Sequence, residues 1–168
     1  MPRQIVRAVR DYADAIDARL DEGRGLWLMG DVGTGKTTLA TLVSKAALDA
    51  GRSVAIYSLP DLVRQIRRTY DDGAGLSDVE LIDRLAAVDL LQLDDLGAER
   101  TSDWVLEQLY SIVNARYEAE RSIVLTTNIS DIDELRSQVG ERTVSRLTEM
   151  CELIPVFGSD HRMELHGA

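Results

Sequence analysis

The chain has 168 residues, 45% of them apolar and 29% charged, which fits one globular domain and excludes both a disordered segment and two ordinary domains. No apolar run approaches the roughly 18 residues of a membrane span, the N-terminus has no secretory apolar core, and the one cysteine, Cys151, cannot form an internal disulfide, so a reducing, cytoplasmic setting is expected. A net charge of −10 argues against coating nucleic acid by bulk charge, though it leaves room for a local basic groove.

The periodicity predicts a helix over residues 5–20, with Val9, Ile16 and Leu20 on its apolar face, ended by Gly23 and Gly25. Leu26 to Met29 reads as a buried strand, Lys36 to Ala50 as a helix stopped by Gly51, and Ser53 to Tyr57 as a second strand. Pro60 suits the first turn of a helix running to about Tyr70. A turn-like loop follows at residues 71–75, and Ser77 with Glu80 forms a capping box for a helix to about Ala87. Leu90 to Leu93 is a third strand, Ser102 to Glu120 a long helix, and Ser122 to Thr126 a fourth strand. Short helices are expected after Asp131 and over 141–148, then a fifth strand over Leu153 to Phe157. Alternating strands and helices imply a parallel sheet covered on both faces, with ligands bound beyond the carboxyl ends of the strands.

The residues just after each strand are the unusual ones. Gly30-Asp31-Val32-Gly33-Thr34-Gly35-Lys36-Thr37 matches the G-x-x-x-x-G-K-[ST] P-loop, between a strand and a helix. Its amides can cradle phosphate oxygens, together with the positive end of the following helix and Thr38 beside it. Lys36 can reach the β and γ phosphates of ATP, and Thr37 offers its hydroxyl to Mg2+. Lys36 and Lys45 are the only lysines among 19 basic residues. The third strand ends Leu93-Asp94-Asp95, an apolar run closed by two acids. Asp94 suits Mg2+, which takes one or two carboxylates and keeps several waters. Asp95 suits the carboxylate that orients or deprotonates an attacking water, although Glu, one methylene longer, is more usual there. Glu99 is a second candidate base. The fourth strand ends Thr126-Thr127-Asn128, where an amide can hold that water; Asn128 is preferred over Thr127, with a plain strand-end turn as the alternative.

These motifs resemble the AAA+ ATPases of the DnaC/IstB group, in particular DnaC-type replicative helicase loaders. The resemblance rests on GDVGTGKTTLA, on LDDLGAE followed by WVLEQLYSIVNARYE, on IVLTTN, on GERTVSRL and on the closing VFGSDHR. It implies a P-loop NTPase of AAA+ type over residues 1–168: a three-layer α/β/α sandwich with a five-stranded parallel sheet in the order 5-1-4-3-2. It also implies a weak Mg-dependent ATPase completed by a neighbouring copy, with Arg146, or else Arg142, as the arginine finger and Arg162 as a nucleotide contact in cis. The first helix leads straight into the P-loop strand, so neither an N-terminal helicase-gripping segment nor a large C-terminal lid is expected.

Loaders of this kind bind single-stranded DNA and a DnaB-type helicase, and assemble into rings or spirals. The best local match for DNA contact is Arg64, Arg67 and Arg68 on the helix after the second strand, with Tyr57 and Tyr70 as stacking surfaces. An IstB-like transposition helper acting on duplex DNA is the nearest alternative. A small-molecule P-loop kinase would need a lid and acceptor pocket that the sequence does not display, and an assembly module without useful hydrolysis is a further reading, kept open by the Asp at position 95. The charge is uneven: residues 71–99 hold nine acids and one base, Arg84, so the rest of the chain is near neutral and the −10 does not oppose a separate DNA-binding helix.

Overall fold

The computed structural model describes residues 2–71, 78–97 and 102–158. Five strands, β1 (Gly25–Met29), β2 (Val54–Ser58), β3 (Leu90–Asp94), β4 (Ser122–Thr127) and β5 (Cys151–Pro155), form one parallel sheet in the order β2-β3-β4-β1-β5. This is the expected 5-1-4-3-2 order read from the other edge. Every residue of β1 and β4 is buried, as parallel strands covered on both faces require.

Alternation along the strands divides two cores. Leu26 and Leu28 of β1 join Leu90, Val124 and Ile154 on one face, under α1 (Arg3–Asp14), α2 (Ile16–Asp21) and α3 (Lys36–Asp49). Trp27 and Met29 join Leu91, Leu93, Ile123 and Leu125 on the other, under α4 (Leu59–Asp71), α5 (Asp78–Ala87), α6 (Asp103–Glu118), α7 (Ile132–Val139) and α8 (Glu141–Met150). Within the first core, the Ser44 hydroxyl of α3 donates to Gln92 Oε1 of β3 at 2.7 Å, giving a buried amide an internal partner.

Two predicted elements differ. The helix over 5–20 is broken at Ala15, which separates α1 from α2. Val9, Tyr12, Ile16 and Leu20 stay buried on either side of the break, so hydropathy carries no trace of it. The last strand starts at Cys151, directly after Met150, rather than at Leu153. It ends at Pro155, short of Phe157; as an edge strand paired only to β1, it leaves Leu153 about half exposed, as Phe157 is just beyond it, and Cys151 and Ile154 face inward instead. The predicted loop at 71–75 and Ser77 fall largely outside the described residues. Ser102 caps α6, its hydroxyl accepting from the Val105 amide.

Arg116 is the largest surprise in the core. Fully buried on α6, it spreads its guanidinium over backbone carbonyls: Nη1 donates to Leu85, Ala86 and Val88, and Nη2 to Asp89 and Ser122. It thereby ties the end of α5 and the entries to β3 and β4 together, satisfying carbonyls that would otherwise be orphaned. Burial pulls its pKa well below the usual guanidinium value, to about 9, which still leaves it charged at neutral pH. Arg116→Met should destabilise the fold by roughly 3 kcal/mol, because carbonyls stay buried without donors. A thermal melt should show a fall on the order of 10 °C; an unchanged midpoint would refute this tie.

Candidate functional site

The carboxyl ends of β1, β3 and β4 bring together the P-loop, the acid pair and Asn128, because β4 lies between the other two strands. Gly30 opens the loop at φ +153°, and a Cβ there would stand 2.1 Å from the Val156 carbonyl oxygen. The loop can leave the sheet here only because residue 30 has no side chain. Gly35 closes it at φ +89° and starts α3 without a side-chain cap, leaving the first amides of that helix available to an anion.

Lys36 is buried, and its ammonium donates to the Gly30 carbonyl at 3.0 Å and to the Asp31 carbonyl. Thr34, also buried, donates to the Asp31 carbonyl at 2.9 Å and braces the same turn. Asp31, Val32, Thr37 and Thr38 are exposed along the loop, and Gly33 is half-buried.

Thr37 and Asp94 meet directly: the hydroxyl donates to both carboxylate oxygens, at 3.1 and 3.0 Å. Two hard oxygen donors beside a phosphate cradle are the set Mg2+ prefers, so the residues present fit that ion. Thr126 was missed at the sequence level. Fully buried on β4, it donates to Asp94 Oδ1 at 2.6 Å and accepts from the Asp95 amide at 3.0 Å, orienting both acids at once. A polar residue just inside the end of an otherwise apolar central strand was its only signal. Asp95 itself sits at φ +58°, a left-handed conformation that Asp tolerates better than most residues. Asn128 donates its amide to Asp95 Oδ1 at 3.2 Å. Thr127 instead donates to the Leu96 carbonyl and accepts from the Ile129 amide, shaping the loop rather than facing the acids. Glu99 and Arg162 lie outside the described residues.

Arg142 and Arg146 are one turn apart on α8, lying against α6 rather than against the P-loop. Each stacks on a tyrosine: Arg142 over Tyr110 and Arg146 over Tyr117, both at 4.1 Å from the ring centroid. Arg142 also donates to the Tyr110 hydroxyl at 2.7 Å, and Arg146 Nε to Asn114 Oδ1 at 3.3 Å. Tyr117 donates to Glu149, which pushes its own pKa up. Neither arginine makes an ion pair among the described residues, so both keep an unneutralised charge while their side chains are held in place. The spacing of Tyr110, Asn114 and Tyr117 along one face of α6 was the available sequence signal.

The remaining candidates lie on the α4 side of the sheet. Arg67 and Arg68 are exposed; Arg64 pairs with Asp61 at 3.1 Å. Tyr57 is half-buried against the core, and the Tyr70 side chain lies outside the described set. No described helix is long and apolar enough to cross a membrane.

Known proteins share this architecture. A crystal structure of the DnaC helicase loader is 31% identical, covers 91% of this chain and 88% of its own, and superposes with a TM-score of 0.80. A replication initiator DnaA bound to AMPPCP and single-stranded DNA shares the fold at 24% identity and a TM-score of 0.78, over 94% of this chain and 46% of its own. The replicative helicase loader DnaC of Buchnera aphidicola subsp. Baizongia pistaciae is 28% identical over 98% of this chain and 66% of its own length. DnaC of Escherichia coli K12 is 28% identical over 90% of this chain and 60% of its own. The chain thus spans less than two thirds of the curated relatives it matches. A family model described as an IstB-like ATP binding protein matches residues 7–166, and the chain, a P-loop ATPase fold of AAA+ type, belongs to that IstB-like ATP-binding family.

Proposed function

We propose that the chain is the ATPase module of a cytoplasmic helicase loader, which hydrolyses ATP at a site shared between copies and contacts single-stranded DNA. The observation that carries the reading is the chain of contacts from Thr37 through Asp94 and Thr126 to Asp95 and Asn128. Thr37 and Asp94 would hold Mg2+, which when bound offsets charge on the β and γ phosphates. The P-loop amides and Lys36 bind and orient the triphosphate. Asp95 accepts the proton of the attacking water, and Asn128 fixes both the carboxylate and that water. Arg146 of one copy, or Arg142 beside it, reaches the γ-phosphoryl held by another and stabilises its developing charge. The names of the DnaC relatives, replicative helicase loaders, support a replicative helicase as partner, of the DnaB type that the resemblance implies. A transposition helper would have nearly the same site but act on duplex DNA.

A phosphate-release assay across protein concentration, with and without single-stranded DNA, tests the shared site. Turnover per chain should rise with concentration and with Mg2+; a flat, metal-independent rate rules it out. Pull-down of a replicative helicase with and without ATP tests the partner, using any native extension the full protein carries. For DNA, Arg67→Ala with Arg68→Ala should weaken single-strand binding by about tenfold, leave ATP affinity alone, and lessen the salt dependence. Unchanged affinity would remove α4 from the interface.

A further inference from the structure

Helix α1 carries its charges in the order that weakens a helix. Arg3 stands in its first turn, which holds no acid, and its last turn holds Asp11 and Asp14 but no base; Arg7 and Arg10 fall between. The helix macrodipole favours the reverse arrangement. Pro2 at the N-cap supplies no side-chain cap to offset this. The one compensating pair among the described residues, Arg7 Nε with Asp11 Oδ2, is 3.8 Å long and well exposed, and such pairs contribute little. Nor does packing require the arginines: Val9 and Tyr12 bury the helix, with Ile5 and Ala8 beside them, while all three arginines are exposed. Stability accounts for the apolar side of α1 and not for its charged side.

That charged side has a shape. Arg3, Val6, Arg7, Arg10 and Asp11 line a groove of about 470 Å³. Positions 3, 7 and 10 fall on one helical face, stepped roughly 6 and then 4.5 Å along the axis. We propose that this face of α1 binds the phosphodiester backbone of a nucleic acid. Guanidinium forks donate to two phosphate oxygens at a time, which point-charge ammonium groups do not. An acidic protein segment fits less well. Val6 is the one apolar residue in the groove, and protein interfaces draw their energy from buried aromatic and apolar anchors. The site is separate from the α4 arginines: α1 packs on the α3 face of the sheet and α4 on the opposite one. Substitutions can therefore remove one set without touching the other.

The test is fluorescence anisotropy of the full chain with labelled single-stranded and duplex oligonucleotides at several salt concentrations. The triple variant R3E/R7E/R10E should bind at least one oligonucleotide about tenfold or more weakly, with a salt slope shallower by about two to three. Its melting temperature should fall by only about 2–4 °C, since R3E follows the dipole while R7E and R10E set like charges against Asp11 and Asp14. The triple lysine variant should keep most of the binding. Loss on single strands alone, on duplex alone or on both supports the proposal and identifies the strand form. Unchanged affinity for both overturns it. So does a fall of more than about 10 °C in the glutamate variant, which would make the arginines structural. Competition by polyglutamate as strong as by an oligonucleotide of equal charge also overturns it, in favour of an acidic protein partner. An R67A/R68A arm, measured alongside, separates failure here from failure of the α4 interface.

Discussion

Arg146→Ala should lower ATP turnover at high protein concentration by about 10³-fold, while leaving nucleotide affinity within about twofold. The size follows from what an arginine brought from another copy supplies: charge stabilisation that appears mainly in the transition state, so kcat falls and binding does not. The geometry favours such a role for a specific reason. Arg146 is restrained by the Tyr117 ring and Asn114, two partners that leave its charge intact. A carboxylate partner would have cancelled it. Arg142 is held in the same manner by Tyr110, so Arg142→Ala is the necessary comparison. The variant with the larger loss in kcat identifies the finger. If both retain concentration-dependent turnover, α8 is not part of the site.

Asp95→Asn should cost about 10²- to 10⁴-fold in turnover with ATP binding preserved. Asn is the apt substitution because residue 95 sits at φ +58°, which Asn tolerates, and because the amide keeps the size of the side chain. The loss then reports lost proton acceptance rather than a collapsed turn. Asp94→Asn should behave differently and weaken the dependence of binding on Mg2+, since Asp94 faces Thr37. The two variants also test each other. Mixed with Arg146→Ala, the Asp95→Asn chain should recover part of the lost activity. In some pairs an intact Asp95 site then meets an intact Arg146 from the other chain. No recovery would mean that the acid and the arginine act within one copy.

Much of the site was legible in the sequence because its parts are local. The P-loop is a contiguous string, and Asp94 and Asp95 close a short leucine-rich strand, so spacing alone exposes them. The sheet order followed from family resemblance, because strand adjacency leaves little trace in a single chain. What was missed depends on tertiary neighbours. Arg116 meets backbone carbonyls, which every residue has, so no side-chain pattern announces its cage. Thr126 gains meaning only when β4 is set beside β3. The fifth strand was displaced because an edge strand need not hide its apolar residues: Leu153 on it and Phe157 just past it imitate a core pattern while staying about half exposed.

The β1–β5 seam has a practical consequence. Cys151 is the sole cysteine of the chain, almost fully buried, its thiol donating to the Ile123 carbonyl across the sheet from a position packed on Gly25. Burial raises its pKa well above the usual thiol value, so the nucleophilic thiolate is suppressed while the seam is shut. Maleimide labelling of the unaltered protein is therefore a clock for opening of that edge: modification proceeds as β5 separates from β1 and no faster. The reporter lies on the strand that leads directly into Val156, whose carbonyl stands against Gly30, so labelling rates with and without nucleotide would read how firmly the base of the P-loop is clamped.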